Sequence, residues 1–167
     1  MNINLLQADI TKLKVDVIVN AANNSLLGGG GVDGAIHKAA GPELLEACKL
    51  LNGCETGQAK LTSGFLLKAK HIIHTVGPIY KSHPIAVSEK LLISAYWESL
   101  KLADIIEAQS IAFPNISTGV YGFPKKRAAE LAMHTILKFK QTKPVHLKDL
   151  YFCCFDEENY KLYQELL

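Results

Sequence analysis

No stretch of this 167-residue chain is apolar for the roughly 18 residues that a membrane-spanning helix needs. The opening Met1-Asn2-Ile3-Asn4 lacks the basic segment followed by an apolar one that marks export, so a cytoplasmic location is expected. An excess of one charge is missing too. The 18 Lys and Arg against 16 Asp and Glu leave +2, which gives no general attraction for nucleic acid or a membrane surface. None of Cys48, Cys54, Cys153 and Cys154 forms a C-x-x-C pair, and no tight Cys/His cluster accompanies them. Zinc is therefore not expected, and reduced, buried thiols are. There is no Gly-x-x-x-x-Gly-Lys-Ser/Thr phosphate loop. A dinucleotide G-x-G-x-x-G fingerprint starting at Gly28 fails because position 33 is aspartate. Repeats, low-complexity tracts and linkers are absent as well.

What is present is an alternation of short β-rich runs with amphipathic segments over a length suited to one domain, residues 1–167. Strands are expected over Ile3–Ala8, Val15–Asn20, Ala59–Leu66, Lys70–Val76, Ile111–Phe113 and Leu150–Phe155. Helices are expected over Gly34–Ala40, Pro42–Leu51, Val87–Glu107 and Pro124–Phe139, with Asp156 capping a last one to Leu167. Leu131, Ile136, Leu137 and Phe139 supply the apolar side of the fourth helix. This order implies an α/β fold, a three-layer α/β/α sandwich around a central mixed, mostly parallel sheet. Ligands of such sheets collect beyond the carboxyl ends of the strands, where two glycine-containing loops, 28–34 and 117–122, are expected to face each other.

The first loop carries Gly28-Gly29-Gly30-Gly31-Val32-Asp33-Gly34 after Asn20-Ala21-Ala22-Asn23-Asn24. Four successive glycines forgo side chains and cost backbone entropy, which suits amides that must approach a ligand closely. Asp33 either accepts a hydrogen bond from a ribose hydroxyl, orients or activates a water, or serves simply as a helix cap. His37 lies one helical turn further along the same face. The second loop, Asn115 to Pro124, offers amides and a helix N-terminus for an anion, hydroxyls from Ser117 and Thr118, and the ring of Tyr121. Two amide-rich loops suit a diphosphate better than a single phosphate. Asp9 is either a turn cap or an acceptor for an amino group such as adenine's, and Phe155 either a core ring or a face for a base. His71 and His74, three apart on a strand, point to opposite faces and make a poor metal pair. His83, His134 and His146 read as structural or solvated. Lys125-Lys126-Arg127 reads either as a solvated helix start or as a basic run that attracts anions near the cleft.

End to end, the chain resembles the macrodomain family, in particular its MacroD-like hydrolase branch. The resemblance rests on Ala8-Asp9-Ile10-Thr11, Val19-Asn20-Ala21-Ala22-Asn23, Gly28 through His37, His74-Thr75-Val76-Gly77-Pro78 and Ile116 through Gly122. It implies binding of ADP-ribose, with Asp9 on the adenine amino group, Ile10 lining that pocket and Phe155 stacked on the base. It implies that Gly31, Val32, Ser117, Thr118, Gly119, Val120 and Tyr121 hold the diphosphate. Asn23 and Asp33 would meet the distal ribose as the catalytic pair, with Asn20 and His37 in support. The implied chemistry is hydrolysis of esters on that ribose, either O-acetyl-ADP-ribose or ADP-ribose on acidic side chains of proteins, with no metal or redox cofactor. A non-catalytic ADP-ribose reader and an ADP-ribose 1″-phosphate phosphatase are the alternatives. Ala8, Phe65 and Lys68 depart from the residues usual in the family, and none of them belongs to the implied catalytic pair.

Overall fold

A computed structural model describes residues 1–167. Six strands, β1 (Asn2–Gln7), β2 (Val17–Ala21), β3 (Ala59–Ser63), β4 (His71–Thr75), β5 (Ser110–Phe113) and β6 (Asp149–Cys154), form one sheet in the order β1-β6-β5-β2-β4-β3. Every neighbouring pair runs parallel except β3 with β4 at one edge. The interior strands read as continuous apolar runs because both faces are covered. Val17, Val19 and Ile73 pack on one side with α3 (Ile85–Ile105), α4 (Lys125–Gln141) and α5 (Glu157–Leu166). Ile18 and Ile72 pack on the other with α1 (Gly31–Ala40) and α2 (Glu43–Lys49). The result is the three-layer α/β/α sandwich with a mixed, mostly parallel sheet. No helix is long and apolar enough to cross a membrane.

Several boundaries differ from the sequence expectation, and two of them bear on function. The first helix starts at Gly31 rather than Gly34, so Asp33 lies in its first turn and Gly30 takes the cap position. Gly31, with φ of 56°, can enter that turn because it carries no side chain. The last strand ends at Cys154, leaving Phe155 outside the sheet, and Asp156 caps α5 by accepting from the Asn159 amide at 2.8 Å. Elsewhere β3 stops at Ser63, before Gly64 and the positive-φ Phe65 (48°). Leu137 is 45% exposed rather than part of the apolar face of α4. All four cysteines are free and buried, with Cys153 and Cys154 in the two opposite cores.

Candidate active site

The loop after β2 leads to α1 on one face of the sheet, and the loop after β5 leads to α4 on the other. Adjacent strands whose connections part in this way leave a crevice at their carboxyl ends. Here it is a cavity of about 700 Å³. Asp9, Ile10, Asn23, Gly31, Val32, Asp33, Ser117 through Tyr121 and Phe155 all line it. Asn20 and His37, expected among the ligand contacts, do not. Ala35, Pro114, Cys153, Asp156 and Asn159 line it as well, with no ligand role expected for them from the sequence, and so does Lys125 of the basic run.

The walls of this cavity are rich in unused amide donors. The first-turn N–H groups of Gly31, Val32 and Asp33 have no earlier helical carbonyl to bond, and Gly30 supplies no side-chain cap. Across the cavity, the segment from Thr118 to Tyr121 donates no backbone hydrogen bond. The loop is closed on either side by Gly122 N to Gly119 O at 3.0 Å and Phe123 N to Ser117 O at 2.9 Å. Ser117 adopts a φ of 65°, the left-handed conformation that turns this run of amides outward. Two facing sets of free N–H groups, one at a helix N-terminus, form a receptor for a multiply charged anion.

Asp33 sits at the inner end. Its Oδ1 accepts from Asn20 Nδ2 at 2.8 Å and lies 3.5 Å from His37 Nε2. Its Oδ2 points towards Gly29, where an added Cβ would come within 3.1 Å of Oδ2 and 3.4 Å of Asn23 Nδ2. A glycine there keeps open the space where the carboxylate and the Asn23 amide converge. Asn23 is itself fixed at both ends of its amide, donating to Gly28 O at 2.9 Å and accepting from Ser25 Oγ at 2.7 Å. His37 packs its ring 3.8 Å from the space beside Gly28. Burial raises the Asp33 carboxyl above its ordinary range, opposed by the Asn20 hydrogen bond and the His37 charge. Asn20 thus holds the carboxylate from behind, His37 lies beside it with Nε2 unpaired, and neither faces the cavity. A fixed, desolvated carboxylate beside a fixed amide can orient a water against a bound substrate.

At the other end, Asp9 is a turn cap that also borders the cavity. Its Oδ1 accepts from Thr11 N at 3.0 Å and Thr11 Oγ1 at 2.7 Å, capping the short turn after β1, while the residue also lines the cavity. The Thr11 hydroxyl holds the Asp9 carboxyl below its ordinary pKa, keeping it an acceptor. Phe155 is 83% exposed at the rim, so it is a free aromatic face and not a core ring. Lys125 lines the same end, with Nζ paired to Glu158 at 2.7 Å, while Arg127 is turned away into a two-pronged pair with Glu89.

The family description "Macro domain" matches residues 19–132. An O-acetyl-ADP-ribose deacetylase from Escherichia fergusonii is 54% identical over 99% of this chain and 94% of its own length. The Xenopus laevis ADP-ribose glycohydrolase MACROD2 is 50% identical over 99% of this chain, which spans 40% of that longer protein. A Trypanosoma brucei macrodomain solved in complex with ADP-ribose superposes with a TM-score of 0.92 at 42% identity, covering 98% of this chain and 68% of the other.

Proposed function

The chain belongs to the macrodomain family, and from that premise we propose that it binds ADP-ribose and hydrolyses esters carried on the distal ribose. The observation that carries this reading is the Asp33 carboxylate, buried at 5% exposure beside Asn23 at the inner end of a cavity with two facing sets of free amides. In the proposed pose, adenine lies between Phe155 and Ile10 with its amino group on Asp9, and the diphosphate spans the amides of 31–32 and 118–121. The distal ribose then reaches Asn23 and Asp33. A water held on Asp33 Oδ2 adds to the ester carbonyl carbon, and the bond from that carbon to the ribose oxygen breaks. The water's proton ends on the departing ribose hydroxyl. Asp33 serves either as the base that accepts this proton or as the group that aims the water while a substrate phosphate accepts it. Asn23 fixes the ribose, and the amides neutralise the diphosphate.

Incubation with O-acetyl-ADP-ribose and, separately, with glutamate-ADP-ribosylated protein tests the reading, with released acetate and ADP-ribose quantified. Release from either substrate is expected. Tight ADP-ribose binding without release from either one would make the chain a reader. Release of phosphate from ADP-ribose 1″-phosphate alone would make it a phosphatase.

A further inference from the structure

Behind Asp33 a file of buried polar groups runs away from the cavity into the core. Asn20 on β2 and His74 on β4 are register partners in a parallel pair, so both side chains leave the sheet on the α1/α2 face. Asn20 Nδ2 lies 2.8 Å from Asp33 Oδ1 and 3.1 Å from His74 Nδ1. The far ring nitrogen, Nε2, lies 2.8 Å from Thr62 Oγ1 on β3 and 3.9 Å from Cys48 Sγ on α2. Asn20 and His74 are completely buried and Thr62 is 7% exposed.

Counting donors and acceptors leaves two self-consistent arrangements. In the first, both Asn20 N–H groups are spent, one on an ionised Asp33 and one on His74 Nδ1, and Asn20 Oδ1 finds no partner. His74 Nδ1 then accepts, so the ring's single proton sits on Nε2 and is donated to Thr62 Oγ1. In the second, the amide is reversed: Oδ1 accepts from a proton on Nδ1, Thr62 donates to Nε2, and Oδ1 also faces Asp33 Oδ1. Two oxygens at hydrogen-bond distance require a proton between them, so this arrangement exists only with Asp33 protonated. The tautomer of a core histidine and the charge of the cavity carboxylate are therefore coupled through one amide. Burial pulls the His74 pKa down to about 4, so the ring is neutral and the coupling is one of tautomers near neutral pH.

We propose that His74 is a positioning residue whose Nε2–H tautomer, held by Thr62, fixes the Asn20 amide as a double donor and thereby keeps Asp33 ionised and aimed into the cavity. The titratable groups facing this file are His37 from α1, 3.5 Å from Asp33, and Cys48 from α2. Burial raises the Cys48 thiol to about 11, so it stays neutral. The inference rests on the reading of Asp33 as the group that serves the reaction. Its deciding arms need no turnover: a wild-type protein that cleaves neither ester defeats the hydrolase reading, while the histidine tautomer and the Asp33 titration decide this one.

The full chain without ligand is examined by ¹⁵N NMR of the histidine rings and by ¹³C titration of the Asp33 carboxyl. His74 is expected to carry its proton on Nε2. In Thr62→Val, Nε2–H loses its acceptor, the reversed amide becomes competitive, and the Asp33 pKa rises by about one unit, a tenfold change in proton affinity. Thr62→Ser keeps the hydroxyl and titrates as wild type. His74→Asn, which returns an acceptor near the Nδ1 position, retains turnover. His74→Leu loses about tenfold or more in kcat, with ADP-ribose affinity within about twofold, as a misaimed catalytic group predicts. A proton on Nδ1 in the wild type, a measurement that needs no variant, overturns the proposal. So does a folded Thr62→Val protein whose Asp33 titrates unchanged.

Discussion

Ser117 occupies the space that a side chain on Gly77 would need. A Cβ added to Gly77 overlaps the Ser117 Oγ and comes within 2.6 Å of Ile116 Cγ2, so the side chains of the loop after β5 pack directly on the bare backbone of Gly77 after β4. Ser117 is buried there, with its hydroxyl unpaired. Any group at position 77 therefore pushes directly on the residue whose left-handed turn aims the amides of 118–121.

Gly77→Ala is expected to fold with a stability loss of about 1–3 kcal/mol, the usual cost of overpacking. ADP-ribose affinity should fall by more than that strain alone explains, because the loop and its amides must shift together. Calorimetric titration alongside thermal unfolding separates the two effects. Wild-type affinity in a folded variant would remove the 118–121 amides from diphosphate binding.

Asp33→Ala is expected to lower ester hydrolysis by about 100-fold or more, the scale of a positioned acid–base group. ADP-ribose affinity should change far less, since the contacts proposed for the diphosphate and adenine lie elsewhere in the cavity. Single-turnover rates with O-acetyl-ADP-ribose at saturating enzyme give the chemical step without the binding term. Near-normal single-turnover rates would leave the substrate's phosphate as sole activator of the water.

Burial holds the Asp33 pKa above its ordinary 3.8, so the folded chain keeps this proton at pH values where the unfolded chain has lost it. Stability therefore falls as pH rises through the window that opens near 3.8 and closes at the raised folded value. Above that window the whole cost of the buried charge is present. Asp33→Asn removes the charge while keeping an oxygen for the Asn20 N–H. At pH 7 the variant should melt above wild type, because it no longer carries the cost of a buried charge. The gap should close as the pH approaches 4. A gap that widens on acidification would reverse the sign and exclude burial as the dominant influence.

The alternation of β-branched runs with amphipathic segments was enough to read the layered fold, because a sheet covered on both faces leaves that signature in the interior strands themselves. The loops were legible for the same local reason: Gly28 to Gly31 and Ser117 to Gly122 follow strands and precede helices. What local sequence could not reveal is whatever depends on register or on contact between distant loops. His74 meets Asn20 only because β2 pairs with β4 while β3 lies between them in the chain. Gly77 directly follows an expected strand, and its need for bareness comes from Ser117, far along the chain. Asn20 and His37, expected among the ligand contacts, lie beside Asp33 and off the cavity wall, Asn20 through its place on β2 and His37 one turn along α1.

Phe155 posed the same problem at the opposite end of the cavity, since an aromatic residue at a strand terminus reads equally as core or as rim. The sheet stops one residue short of it, and the ring is left 83% exposed against the cavity that Asp9 and Ile10 also line. An exposed ring contributes little to folding, and the cap of α5 is supplied by Asp156 regardless of the side chain at 155. Phe155→Ala should therefore leave the melting temperature within measurement error. Stacking of one base on an aromatic ring is worth about 1–3 kcal/mol, so ADP-ribose affinity should drop by about 5- to 150-fold. A ligand that keeps the phosphates and distal ribose but lacks the base should bind both proteins equally. Equal weakening towards both ligands would mean that Phe155 shapes the cavity as a whole, and an unchanged affinity for ADP-ribose would place the adenine elsewhere.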